Sequence, residues 1–121
     1  MVFLIMYNFK KENGVLIISF KGLFKMEEAE SFVKDYENEI RGLNLSATSL
    51  ILDGKDLACS FANTIPMLAK CVDKYIEDGY KKIIQVKFNK IVGQMQFNNI
   101  IKGKPILVVD TLEEALRKAK E

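Results

Sequence analysis

The sequence predicts one α/β domain spanning 1–121, built on a mixed, mostly parallel β-sheet with an opening hairpin and about four helices. Three observations predict it. Asn13-Gly14 lies between two apolar runs, a hairpin signal because both residues tolerate positive φ. Beyond the hairpin, short solid apolar runs alternate with helical apolar spacing, the pattern of parallel strands joined by right-handed crossover helices. The 121 residues, 49% hydrophobic and 28% charged, supply one proper core and no second domain.

The elements follow in order. The apolar opening from Met1 to Phe9 reads as a strand, since it lacks the basic flank and small-residue cleavage site of a signal peptide. Lys10-Lys11-Glu12-Asn13-Gly14 is the turn, and Val15-Leu16-Ile17-Ile18-Ser19-Phe20 the second strand, closed by Gly22. Met26, Ala29, Phe32, Val33, Tyr36 and Ile40 recur at helical spacing and predict a helix over 26–41 with one buried stripe. Glu27 and Glu28 at its start and Arg41-Gly42 at its end suit the helix dipole. Leu50-Ile51-Leu52, ending at Asp53-Gly54, is a solid apolar run that reads as an interior strand covered on both faces.

Ile65, Leu68, Ala69, Val72, Tyr75 and Ile76 predict a helix over 63–78, with Asn63 or Thr64 as N-cap, Pro66 in the first turn and Gly79 as the stop. Ile83-Ile84-Gln85-Val86 is the next strand. Asn89 is the expected cap of a weaker helix over 90–101 through Ile91, Val92, Met95 and Ile100, weakened by Gly93. Pro105 to Val109 is the last strand. A final helix over 111–120 carries Leu112, Ala115, Leu116 and Ala119 after a capping box made either by Asp110 with Glu113 or by Thr111 with Glu114.

Composition narrows the function classes. Eighteen Lys and Arg against sixteen Asp and Glu give a net charge of +2, without the basic excess of a nucleic-acid domain. The absence of His removes the commonest general base and the commonest metal ligand. Cys59 and Cys71 form neither a disulfide framework nor a CxxC pair, so both are expected as unpaired thiols in a reducing cytoplasm. No apolar run reaches the roughly 18 residues of a membrane span. A soluble, cytoplasmic chain without membrane insertion is expected.

The chemistry-bearing motifs are equally sparse. GxxxxGK[ST], GxGxxG after a strand and GxSxG are all missing, so phosphate cradles and hydrolase nucleophiles lack their usual backbone. Asp53 and Asp56 lie at a strand end and are candidates for Mg²⁺; the alternative is that Asp53 caps a turn with Gly54 and Asp56 is solvated. Lys81, Lys82, Lys87 and Lys90 form the most basic neighbourhood, read as a solvated edge because no aromatics interleave with them. No cofactor and no metal are expected. Cys59 as an enzyme nucleophile would need Lys55 or a helix terminus to lower its pKa in the absence of His. The stretch Leu57 to Pro66 is unusual for a connector, with small polar residues and Phe61 directly before a helix N-terminus. It is either a recognition loop or a loop that caps the helix and tucks Phe61 into the core.

The hairpin at Asn13-Gly14, Phe20-Lys21-Gly22 before the first helix, Leu50-Ile51-Leu52-Asp53 and the ending Val108-Val109-Asp110-Thr111-Leu112-Glu113-Glu114-Ala115-Leu116 carry a resemblance over nearly the whole chain. With them the chain resembles the STAS domain, the fold of bacterial anti-sigma-factor antagonists and of the cytoplasmic tails of sulphate transporters. Members of that family typically carry Asp-Ser-Ser-Gly-Leu at the start of the second helix and are phosphorylated on the first Ser by a partner kinase. Laid without gaps from Asp53, that motif falls on Phe61, Ala62, Asn63, Thr64 and Ile65. The phosphoacceptor position is therefore Ala62, which has no hydroxyl, and Ser60 and Thr64 are the flanking candidates for phosphorylation.

The resemblance implies a non-enzymatic protein-interaction module whose partner is an anti-sigma-factor kinase or another regulatory protein. Its binding residues would be Cys59, Ser60, Phe61, Ala62, Asn63 and Thr64, with the exposed side of the second helix. The alternative is a small-molecule or lipid binder using the crevice at the strand ends, which requires a concave apolar pocket of about 300 Å³ or more. A monomer and a homodimer are both compatible with the sequence.

Overall fold

The computed structural model describes residues 6–23, 26–58 and 65–121. Its hairpin is set by Asn13 and Gly14, whose φ values of +42° and +77° make the two-residue turn that matches strand twist. The turn joins β1 (Met6–Glu12) to β2 (Val15–Leu23), with Glu12 opposite Val15. Lys10, Lys11 and Glu12 thus belong to β1 and not to the turn. They charge an edge strand, which discourages edge-to-edge pairing. The expected strand residues 1–5 lie outside the described residues.

Then follow α1 (Met26–Ile40), β3 (Ser49–Ala58), α2 (Ile65–Glu77), β4 (Lys82–Val86), α3 (Ile91–Ile101), β5 (Leu107–Val109) and α4 (Leu112–Ala119). The strands lie side by side in chain order; β1 is antiparallel to β2 and every later pair is parallel. This is the mixed α/β sheet with four helices that the sequence predicts. Right-handed crossovers that always step in one direction place their helices on one face. Accordingly α1, α2 and α3 share a face, and among the described residues only α4, after the last strand, covers the other.

Strand alternation divides the core between those faces. Leu16, Ile18, Leu50, Leu52 and Ile83 pack with Phe32 and Tyr36 of α1 and Tyr75 of α2. Val15, Ile17, Ile51, Ile84 and Val86 pack with Ala115 and Ala119 of α4. Leu50, Ile51 and Leu52 are buried in the interior strand, as their apolar run predicts. Tyr7 donates its hydroxyl proton to Asp35 and ties α1 to the edge strand. Thr111 Oγ1 accepts the Glu114 N–H at 3.1 Å, which settles the capping box on Thr111 and Glu114.

Three further expectations need correction. Asp53-Gly54 does not end β3: Ser19 pairs with Asp53 but Lys21 with Asp56, so β3 takes up an extra residue in a bulge and continues to Ala58. Gly54 sits in that bulge because Phe88 packs on it; a Cβ there would lie 2.4 Å from Phe88 Cε1. Gly54→Ala is expected to push the Phe88 ring aside and cost about 1–3 kcal/mol, read as a lower urea midpoint. An unchanged midpoint would mean that the ring moves freely.

The second correction concerns the lysines. Lys81 and Lys82 lie at the start of β4 and Lys87 and Lys90 beyond its end, roughly 16 Å away at about 3.3 Å per strand residue. Lys82 Nζ donates to the Lys118 and Glu121 carbonyls at 2.9 and 2.7 Å, closing the C-terminus of α4, while Lys87 pairs with Asp110 at 3.0 Å. The third is that Asn89 does not cap α3. Its N–H donates to the Lys55 carbonyl at 3.0 Å and its side-chain amide to Asp56 Oδ1 at 3.4 Å, both on β3. Among the described residues no helix is long and apolar enough to cross a membrane.

Candidate partner-binding edge

Because β2 to β5 are parallel, Leu23, Ala58, Val86 and Val109 end at one edge of the sheet, and α2 and α3 both begin there. Cys59, Ser60, Phe61, Ala62, Asn63 and Thr64 connect Ala58 to Ile65. They lie outside the described residues, and with them the two candidate phosphoacceptors and both candidate caps of α2. On the described part of α2, Leu68, Val72 and Tyr75 are buried, and Pro66, Lys70, Asp73 and Glu77 are exposed.

At this edge α3 departs most from the sequence reading. The helix buries Gly93, Gln94, Phe97 and Ile101 and leaves Ile91, Val92 and Met95 at 77%, 63% and 62% exposure. A polar pair fixes that orientation. Gln85 of β4 shares the sheet face of Ile83, and its Nε2 donates to Gln94 Oε1 at 2.9 Å while Gln94 Nε2 returns a bond to Gln85 Oε1 at 3.1 Å. Gln85 Nε2 also donates to the Val86 carbonyl at 3.0 Å, and the Phe88 N–H donates to Gln94 Oε1 at 2.9 Å. Buried amides so paired carry no orphan penalty. Phe97 then packs with Val72 of α2 and stands edge-on to Phe88 at 5.3 Å. Of the apolar residues expected along the helix, Ile91, Val92 and Met95 are thereby turned outward, while Ile100 packs against the core beside Phe97 and Ile101.

The electrostatics of α3 are one-sided. Lys90 and Lys102 are its two cap residues, neither has an ion pair among the described residues, and Lys90 places a cation at the positive end of the helix dipole. Among the described residues no side chain caps this N-terminus, and its first turn has no acidic residue. From Gly79 to Val109 the sequence contains six lysines and no acidic residue, in a chain of net charge +2.

The concavities bear on ligand binding. The apolar space between α2 and the sheet, bordered by Phe20, Leu52, Leu68, Val72, Phe88 and Phe97, has a volume of about 40 Å³, room for a water or two. A larger cleft of about 300 Å³ lies over the β1–β3 end of the sheet, against Asn8, Ser19, Lys21, Asp53 and Asp56. It is open and partly polar, unlike the apolar pocket that a lipid requires. Asp53 Oδ1 accepts the Lys55 N–H at 3.3 Å, and the described residues contain no group of three or more candidate metal ligands.

The buried titratable groups lie away from this edge or below it. Tyr36 Oη donates to Asp78 Oδ2 at 2.5 Å and meets Tyr80 Oη at 2.7 Å. Burial raises Tyr36 first of all, followed by its bond to Asp78, and burial likewise raises Tyr75 and takes Tyr80 up to about 12. Cys71 is a half-buried free thiol pushed up to about 11 by burial, which makes it a poor nucleophile near neutral pH. These groups hold their protons longer in the native state than in the unfolded chain. Unfolding therefore releases protons above the ordinary Cys value of 9.0, and stability falls as pH rises from there toward 11. Urea midpoints at pH 8 and pH 10.5 are expected to show this decline (about these values, chosen to straddle the thiol range); equal midpoints would contradict it.

No family model matches the sequence, and no curated protein matches it. Solved structures do. The chain is similar to an anti-sigma factor antagonist from Mycobacterium paratuberculosis, with a TM-score of 0.67 and 17% identity over 98% of this chain and 96% of that one. It is also similar to an uncharacterized protein of the DUF3478 family with a SpoIIAA-like fold from Shewanella loihica, with a TM-score of 0.66 and 12% identity over the same shares, 98% and 96%. The fold is therefore the SpoIIAA-like fold expected from the STAS resemblance.

Proposed function

We propose that the chain is a non-enzymatic, cytoplasmic protein-interaction module of the regulatory kind, and that its partner seats on the carboxyl edge of the sheet. The single observation that carries this reading is the exposed apolar face of Ile91, Val92 and Met95 on a helix that starts at the same edge as the 59–64 connection. Exposed apolar side chains grouped on one face are the usual mark of an interaction site. The fold shared with an anti-sigma factor antagonist supports it. The small apolar space under α2 argues against the lipid-binding alternative.

On this reading Cys59, Ser60, Phe61, Ala62, Asn63 and Thr64 complete the surface, and Ala62 makes binding constitutive because it cannot accept phosphate. The test begins with a partner recovered on the native chain and identified. Phe61→Ala, through lost apolar contact, and Ala62→Asp, through added charge, are each expected to weaken that partner about tenfold with unchanged circular dichroism. Unaltered affinity for both would remove the loop from the surface. Incubation with an anti-sigma kinase and ATP is expected to leave Ser60 and Thr64 unmodified; stoichiometric phosphate on either would show that the switch has moved and survived.

A further inference from the structure

We infer that the α3 face binds an acidic partner protein, one that presents an apolar ridge edged with carboxylates. The inference rests on the interaction reading above and adds the chemistry of the partner. Ile91, Val92 and Met95 supply the apolar contact, and the charges on the segment that carries them, Gly79 to Val109, are all positive. Lys90 and Lys102 stand at the two ends of the helix and have no ion pair among the described residues, whereas Lys87 and Lys104 are matched by Asp110 and Asp73. Of the nearby carboxylates, Asp110 is paired with Lys87, and Asp56 keeps its charge but accepts a hydrogen bond from the Asn89 amide on the β3 side. A lysine at the positive end of a helix costs local stability. Such a departure from local preference is expected at a functional site. The uncapped N–H groups and Lys90 together give a positive potential beside Ile91 and Val92, which carboxylates on a partner would neutralise.

An anionic bilayer offers the same sign of charge but suits the architecture less well. α1 shares the sheet face of α2 and α3 and carries six acidic residues against one lysine. Laying α3 on an anionic membrane brings that acidic helix toward it. Three apolar side chains are also a small anchor for a bilayer.

The probes are two synthetic amphipathic helices of about 15 residues, alike in their leucine stripe but edged with glutamate in one and lysine in the other. The glutamate peptide is expected to shift the amide resonances of 90–102 and to bind about tenfold more tightly than the lysine peptide. The double variant Lys90→Glu with Lys102→Glu is expected to reverse that preference, and added salt to weaken it. Equal binding of both peptides, or of neither, overturns the inference. So does binding to phosphatidylserine vesicles in place of the glutamate peptide, which assigns the face to membrane, and so does self-association abolished by Val92→Asp, which assigns it to a second copy. With an identified natural partner the two readings separate. Loss on Val92→Asp without loss on the lysine reversals removes the acidic partner and leaves the interaction surface standing, while no loss on either removes the surface itself.

Discussion

Phe32→Ala is expected to lower stability by about 3–5 kcal/mol, the range for emptying a large aromatic site in a packed core. Phe32 is 1% exposed and its ring is met by Tyr7 at 5.1 Å, Phe20 at 5.3 Å and Phe9 at 5.9 Å. Those rings come from both strands of the hairpin. A cavity at Phe32 therefore loosens α1 and the β1–β2 ribbon together, and the small backbone movement that would collapse it is resisted by the antiparallel pairing on the other side. Urea unfolding should show the loss as a lower midpoint at unchanged slope. A loss below about 1 kcal/mol would mean that the aromatic cluster is not the anchor of α1.

Gln94→Leu is the second large effect, expected at about 2–4 kcal/mol because it orphans two sets of polar groups at once. The Gln85 amide, 1% exposed, loses its reciprocal partner, and the Phe88 N–H loses its acceptor. Adding Gln85→Leu to Gln94→Leu removes the first set and leaves the second, so the double variant should regain part of the loss despite carrying one more substitution. A double-mutant cycle measures this coupling directly. Additive losses would show that the pair does not hold α3 to the sheet.

The elements most legible in the sequence were those where several local signals agreed. Around Asn13-Gly14 turn chemistry and flanking apolar runs named one hairpin. At Thr111 to Ala119 a capping box and the apolar spacing of Leu112, Ala115, Leu116 and Ala119 marked the same helix. The strand through Leu50 to Leu52 was legible as interior, but its end was not: Asp53-Gly54 has the composition of a turn, and only the Phe88 ring against Gly54 makes it a bulge.

α3 was legible as a helix and illegible in its orientation. Its eleven residues, Ile91 to Ile101, include no charge and place apolar side chains nearly all round, so no stripe names the buried face. The deciding contact is between Gln85 and Gln94, nine residues apart in different elements, and a buried glutamine is the opposite of what composition leads one to expect. The absence of acid between Asp78 and Asp110 was the available signal that this segment is unlike the rest of the chain. The 59–64 connection, whose composition is unusual for a connector, lies outside the described residues, and its role stands on the proposed function.

The most direct test of the proposed partner-binding edge is calorimetric titration of the identified partner with the native chain, Val92→Asp and Lys10→Glu. Val92 lies on the exposed face of α3, and Lys10 on the exposed edge strand at the far side of the sheet. Binding at the carboxyl edge predicts at least about a tenfold loss of affinity for Val92→Asp and none for Lys10→Glu, with both variants as stable as the native chain. Equal affinity for all three, or a loss confined to Lys10→Glu, would contradict it.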